Sequence, residues 1–476
     1  MPVEEARAVI NMDHSAVPLT PRAAGGANTA VSVEDSVAAA QPYERRSLRR
    51  ALAGPTGAGS IALVGLVIAG FVLAAGAASR PSDNFVPKST EHFPGWIAGP
   101  LHFIALKASF GVLEAVLAGM CVCYAIAVWY ATKLGGRRLW AAIVLTHVGA
   151  FLAPPVLSSD VFDYIGFARL GVLHGLSPYS YTANAAPHDA IFHYLGWTTV
   201  TTPYGPLFTL LTYAMVPLGI VGGLWTLKAI AVLTSLATVA LVWRIATALG
   251  RPPERAVAMY ALSPLLLVFT VAGAHNDTLF GMLVAAGALC ILTARERAAG
   301  VSLVLAAAVK ISAGLVLPFA ILGSKQRWRL ALEVLAGLAV VVLVSALTID
   351  AHLLAIPRAL LAQQRQVAIH SVPSEVTKLL GLAPHWVAPH KAPLAEGVRL
   401  AFVALFAVAL LAALWRTWRG SWWLDCYAWA TLALIVCTAW LLPWYGVWAL
   451  LPASVSSSRR LRAVTLVVCA YLIVSF

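Results

Sequence analysis

Residues 60–79 read SIALVGLVIAGFVLAAGAAS, an unbroken run with no charge and no proline. A helix needs about 20 such residues to cross the hydrocarbon core of a bilayer. Comparable runs recur at 108–132, 139–157, 224–248, 256–273, 278–294, 301–309, 312–322, 330–349, 397–415, 422–442, 444–455 and 461–476. They predict an all-α polytopic membrane protein with about 13 transmembrane helices. The composition agrees: 476 residues are 60% hydrophobic and 11% charged, with a mean hydropathy of +0.82. Soluble domains carry about 25% charged residues, so a soluble enzyme and a disordered chain are both excluded. The six cysteines (Cys121, Cys123, Cys290, Cys426, Cys437, Cys469) all fall inside apolar runs. They read as small buried hydrophobes, with no disulfide framework or zinc spacing.

Residues 1–50 are polar, aperiodic and end in the basic run Glu44-Arg45-Arg46-Ser47-Leu48-Arg49-Arg50. They are expected to form a disordered cytosolic tail whose basic end meets anionic headgroups. The remainder, 51–476, forms the membrane domain. The formal net charge of +13 is a topology signal. With the N-terminus inside, basic clusters fall at every inside turn, including Lys133/Arg137/Arg138, Arg251/Arg255, Lys325/Arg327/Arg329 and Arg459/Arg460/Arg462. This count requires the proline-bracketed segment from Pro203 to Pro217 to be an interfacial or re-entrant helix. It also requires 301–309 and 312–322 to be two short helices meeting at Lys310 near the outer leaflet.

The long outside loops are then 80–107, 158–223 and 350–396, where soluble chemistry can occur. The second opens with Ser158-Ser159-Asp160-Val161-Phe162-Asp163-Tyr164. Its apolar residues recur at helical spacing, predicting an amphipathic helix on the membrane surface that ends at His174-Gly175. Asp160 reads either as a helix-start residue or as a low-pKa carboxylate that accepts a proton from an acceptor hydroxyl. Asp163 reads as a second acceptor-binding carboxylate or as a solvated charge. In His275-Asn276-Asp277, Asn276 and Asp277 suit a helix N-cap, whereas His275 has no capping role. Lys310, alone between two apolar helices, needs water or an anion, and a lipid phosphate fits best. Arg169 can contact phosphate or snorkel. Trp197, Tyr204, Trp444, Tyr445 and Trp448 read as belt anchors or sugar platforms. Gln364 and His370, beside Gln363, Arg365 and Ser371, suit hydroxyl recognition. Glu114 and His147, on adjacent spans, are candidates to pair with each other. No P-loop, dinucleotide-binding glycine motif or HExxH pattern occurs.

Taken in order, these motifs resemble the GT-C glycosyltransferases over roughly residues 60–476. The motifs are Ser-Ser-Asp-Val-Phe-Asp-Tyr, Arg169, His174 to Tyr179, Thr202 to Phe208, Gly273 to Asp277, Lys310 with Leu317-Pro318-Phe319, and Pro443-Trp444-Tyr445. Most closely, the chain resembles the polyprenol-phosphomannose-dependent α-1,6-mannosyltransferases that build lipomannan in bacterial cell envelopes. The resemblance implies a GT-C-like fold and an inverting transfer of mannose from polyprenyl-phosphate mannose to a mannoside or lipomannan-type acceptor. The reaction would occur on the outer face of the plasma membrane, with Asp160 as general base. Lys310, His275 and Arg169 would bind the donor phosphate. Asp163, Tyr204, Asn276, Asp277, Gln364, His370, Trp444 and Tyr445 would bind acceptor or sugar. The sequence departs from the usual Ser-Arg-Asp-Val-Tyr-Ser-Tyr pattern, with Ser159 replacing the arginine and Asp163 the second serine. No nucleotide diphosphate leaves, so no metal is obligatory, although a divalent ion near Asp160 and Asp163 stays open.

Two alternatives remain at this stage. One is another donor or acceptor on the same fold, such as polyprenyl-phosphoarabinose (an arabinofuranose donor) or a protein hydroxyl. The other, from a different class, is a secondary transporter or lipid-linked-sugar flippase, for which inverted repeats and midplane polar groups would be expected. No nucleic-acid partner is expected.

Overall fold

The computed structural model describes residues 54–79, 86, 93–104, 106–349, 367–381 and 392–475. The expected tail, 1–50, lies outside them, as do Gln364, nearly half of the loop 80–107 and most of the loop 350–396. Among the described residues every regular element is helical. Five stretches are long and apolar enough to cross a membrane: Thr56–Ser79, Phe110–Lys133, Pro206–Ala248, Arg327–Ile349 and Leu394–Trp418. A bent pair, Pro253–Ala261 with Leu265–Ala272, would make a sixth. The expectation of about 13 spans also counted shorter apolar helices, such as Asp277–Leu292 and Trp423–Cys437.

The chain begins with α1 (Pro55–Ser79), which packs against α2 (Phe110–Tyr130) and α3 (Gly136–Leu152). Ser109 starts α2 by accepting a hydrogen bond from the Val112 N–H. Helix α4 (Asp160–His174) stops at Gly175, whose φ of 66° suits a residue without a Cβ. The surface amphipathic helix expected here is corrected: nine consecutive residues, Asp160 to Ala168, and also Leu170 are buried, leaving little of α4 exposed. Both of its faces are covered because the loop 176–205 folds back over it, while α5 (Pro206–Tyr213) and α6 (Gly219–Ala248) pack beneath.

Helix α5 is short and is separated from α6 by the 3₁₀ turn Val216–Leu218, but Pro206–Ala248 forms one stretch long enough to cross a membrane, where an interfacial or re-entrant helix was expected. Helix α7 (Pro253–Ala261) turns by 53° at Ser263-Pro264 into a π-helical segment, Leu265–Ala272. Helices α8 (Asp277–Leu292), α9 (Glu296–Val309) and α10 (Val316–Gly323) follow, then α11 (Arg327–Ile349). Lys310 sits extended at the break between α9 and the short turn before α10, as its sequence position suggested. The third loop contributes α12 (Val372–Leu379), and the chain closes with α13 (Ala392–Trp418), α14 (Trp423–Cys437), α15 (Gly446–Ser454) and α16 (Arg459–Val474).

Two intramembrane polar groups depart from expectation. Glu114 is exposed, and His147 bonds the Ile143 carbonyl at 2.8 Å and Ser235 Oγ at 2.9 Å. The anticipated Glu114–His147 pair is therefore absent: the two residues face different sides of their helices. The fully buried Lys228 was not anticipated. Its ammonium donates to the carbonyls of Ala150 (3.1 Å) and Ala272 (3.0 Å). These acceptors lie near the ends of α3 and the π-helical segment, where carbonyls lack helical partners.

Candidate active site

The start of α4, the end of the π-helical segment, the Lys310 break and the Pro443–Tyr445 turn meet at one end of the bundle. Asp160 begins α4 and is 6% exposed. Its side chain does not cap the helix. Oδ1 accepts from Trp197 Nε1 at 3.2 Å, and Oδ2 accepts from the Tyr204 hydroxyl at 3.3 Å. Burial raises its pKa above the ordinary carboxylate value, while the Trp197 N–H and the charge of Lys310 pull it partly back down. The low-pKa carboxylate expected from the sequence is thus corrected, because desolvation outweighs the favourable contacts. Burial and the neighbouring Asp160 charge raise the Tyr204 pKa well above its usual value. That phenol remains a donor.

His275 reaches this carboxylate from the π-helical segment. The intervening Ala274 has φ 56°, a left-handed conformation rare outside glycine. Nδ1 of His275 lies 3.5 Å from both Asp160 Oδ2 and Tyr164 Oη, and the ring stacks on Trp444 at 3.8 Å. Burial, followed by the charge of Lys310, pushes the His275 pKa well below 6.5. The imidazole is neutral, so its approach to Asp160 is a polar contact rather than an ion pair. Its Nε2 and both amide atoms of Asn276 are buried without a protein partner. Buried polar atoms are rarely left in that state.

The expected cap at Asn276-Asp277 does not form: Asn276 makes no side-chain cap bond. Asp277 instead receives two bonds from Lys310 Nζ, at 2.9 and 3.0 Å, and one from Trp448 Nε1. Lys310 also sits 5.4 Å from the Tyr445 ring and 5.1 Å from that of Trp448. The ion pair explains how a lysine is held at a break between apolar helices. Gly205 makes this close meeting possible. Its N–H donates to the Val309 carbonyl at 3.1 Å, and a Cβ at 205 would lie 2.1 Å from the Ala308 oxygen.

Asp163, one turn after Asp160, is 1% exposed and its Oδ1 accepts from the backbone N–H groups of Gly196 and Trp197, both at 3.0 Å. Ser159 Oγ lies 3.5 Å from its other oxygen. A Cβ on Gly196 would come 2.0 Å from that Ser159 oxygen. Ser159 and Asp163, two of the positions that depart from the usual motif, therefore meet the loop carrying Trp197. Asp163 is not a solvated charge, and it supports Asp160 through that loop.

Arg169 is not brought to the cluster. It lies about 14 Å along α4 from Asp160, and its Nε donates to Asp189 Oδ1 at 2.8 Å. His174 holds the other oxygen of Asp189, also at 2.8 Å. His370 is exposed, 3.5 Å from Glu375, and its carbonyl accepts from Tyr471. Sequence reasoning treated Trp197 and Trp448 as anchors or platforms and gave Tyr164 no polar role. The i, i+4 spacing from Asp160 to Tyr164 could have signalled a shared face. Nothing local links Asp160 to Trp197. Among the described residues no group of three His, Cys, Asp or Glu side chains could hold a metal ion.

The chain matches two family models. Residues 56–326 match the model described as alpha-(1->6)-mannopyranosyltransferase, N-terminal domain, and residues 373–476 match the MptB C-terminal domain. Among curated proteins it is similar to alpha-(1->6)-mannopyranosyltransferase A of Mycobacterium tuberculosis, with 28% identity over 75% of this chain and 70% of the relative. It is also similar to the protein of the same name from Corynebacterium glutamicum, with 29% identity over 39% of this chain and 38% of the relative. A probable alpha-(1->6)-mannopyranosyltransferase of Mycolicibacterium smegmatis is 29% identical over 32% of this chain and 30% of the relative. No solved structure matches the chain.

Proposed function

The chain belongs to the alpha-(1->6)-mannopyranosyltransferase family of membrane glycosyltransferases, and from that premise we propose the reaction it performs. It moves mannose from polyprenyl-phosphate mannose to a mannoside acceptor of the lipomannan type, forming an α-1,6 linkage with inversion. Asp160 is the general base. The enzyme resides in the plasma membrane with its N-terminus in the cytosol and this cluster at the outer face.

One observation carries the reading. The buried Asp160 carboxylate is ringed by neutral donors, Trp197 and Tyr204, beside unpartnered polar atoms of His275 and Asn276. The acceptor hydroxyl oxygen attacks the anomeric carbon, the bond from that carbon to the phosphate oxygen breaks, and the hydroxyl proton passes to Asp160. A raised pKa suits that task, since a carboxylate that holds its proton more tightly is a stronger base. The electron pair leaves on the lipid phosphate. Lys310, with a third N–H beyond its two bonds to Asp277, and the neutral His275 are placed to receive that charge. Water is excluded by the aromatic wall of Trp444, Tyr445 and Trp448. The scheme requires no metal.

The test is transfer from radiolabelled polyprenyl-phosphate mannose to an α-1,6-oligomannoside by the full-length protein in detergent. Wild type should form product whose label is released only by an α-1,6-specific mannosidase. Transfer solely from a polyprenyl-phosphate arabinose would overturn the sugar assignment.

A further inference from the structure

At the end of the bundle away from Asp160 lies a cavity of about 700 Å³ between α2, α7 and α16. The chain path fixes its position. Helix α7 and the π-helical segment run from Arg255 towards His275, and α15 runs from Trp448 back towards Arg459. Its walls and its mouth differ in chemistry. Arg459, Arg462, Leu466, Ala470 and Ile473 line it from one stripe of α16, with the guanidinium groups at one end only. That stripe is about 21 Å long, longer than the roughly 15 Å hydrocarbon depth of one leaflet. Arg255 joins the two arginines from α7.

The cations are poorly balanced. The charges of Arg255, Arg459 and Arg251 all bear on Arg462, against the single carboxylate of Asp425. Among the described residues no carboxylate forms an ion pair with Arg255, Arg459 or Arg462. The positive-inside rule explains why arginines occur at this end. It does not explain why three converge on one apolar cavity. The two helices flanking the cavity are apolar outside it as well: Val122 on α2 and Val467 on α16 are exposed, as expected where acyl chains are the solvent.

We propose that this cavity binds an anionic diacyl phospholipid of the adjoining leaflet. One acyl chain lies along the Leu466–Ile473 stripe, and the phosphodiester meets Arg255, Arg459 and Arg462. A guanidinium pairs with phosphate through two parallel N–H bonds, and the volume falls in the range of small-molecule sites.

The test is native mass spectrometry of the full-length protein in detergent, titrated separately with four probes. These are dioleoylphosphatidylglycerol, dioleoylphosphatidylcholine, glycerol phosphate and decaprenyl phosphate. Dioleoylphosphatidylglycerol should bind at least about tenfold more tightly than the choline lipid with identical chains, and glycerol phosphate should not bind. The triple variant Arg255→Ala, Arg459→Ala, Arg462→Ala should lose that preference. Ala470→Trp, which fills the apolar wall and leaves the arginines in place, should weaken the same lipid. Equal binding of the two dioleoyl lipids, unchanged binding in Ala470→Trp, or binding of glycerol phosphate alone would each overturn the proposal. Decaprenyl phosphate binding that is lost in the triple arginine variant would overturn the diacyl assignment, because binding of that lipid at the Asp160 cluster would survive the variant. The wild-type comparisons decide the question even where a variant elutes as aggregate.

Discussion

The two ends of α4 each hold a carboxylate, in opposite surroundings. At the start, Asp160 is buried among neutral donors, and desolvation raises its pKa. Near the end, burial also acts on Asp189, but the hydrogen bonds from Arg169 and His174 outweigh it and leave the carboxyl below its usual value. A carboxylate clasped by an arginine keeps its charge and gives its geometry to the fold. One hydrogen-bonded only by neutral groups, with a lysine charge acting on it without a direct bond, keeps more of its basicity and is suited to take a proton. One helix thus separates a structural acid from the proposed base.

The sharpest way to break this contrast is to remove the reactive acid. Asp160→Asn should lower the transfer rate by about 10²–10⁴-fold, the usual contribution of a positioned base. Retention of a tenth or more of the wild-type rate in the radiolabel assay would end the distinction. Next in size, Lys310→Met should cost about 10²-fold in kcat, and Lys310→Arg should recover part of it by restoring the charge.

A subtler change tests the cause of Asp160's basicity. The Trp197 N–H stabilises the ionised carboxylate, so Trp197→Phe should raise the Asp160 pKa further. The acid limb of kcat/KM lies above about 3.9, the ordinary aspartate value, and should move to still higher pH in the variant. A limb that stays in place or falls would show that another group controls it. The smallest effect belongs to the other end. Asp189→Asn should leave the transfer rate within about twofold and cost about 1 kcal/mol of stability near neutrality. Because the folded-state pKa of Asp189 is depressed, that contribution is present above the unfolded value and is lost as pH falls through the folded one. Thermal unfolding at pH 7 and at acid pH should therefore show the difference between wild type and variant narrowing.

The sequence exposed the site through scarcity. In a chain with 11% charged residues, Asp160, His275 and Lys310 stood out, and the structure gathers all three with Asp277, Tyr204, Trp444 and Tyr445. What it assigned to each was less accurate. Lys310 and Asp277 lie 33 residues apart, so neither periodicity nor local spacing could reveal their ion pair. Arg169 shared a helix with Asp160, but helix rise alone carried it to a different partner. Asp163 read as an acceptor-binding carboxylate or a solvated charge because the loop that buries it donates to it through backbone N–H groups, which no sequence pattern displays.

Composition and the spacing of apolar runs determined that the chain is helical and membrane-embedded, because runs of about 20 apolar residues match a helix span rather than a barrel strand, and a helix satisfies its own backbone in lipid. The same information placed the Lys310 break and the end of α4 at Gly175. Only the tertiary structure decided how deeply α4 is buried, which donors surround Asp160, and which way its pKa moves. Those properties depend on what packs across the fold, and a local window of sequence carries no record of contacts between residues far apart in the chain.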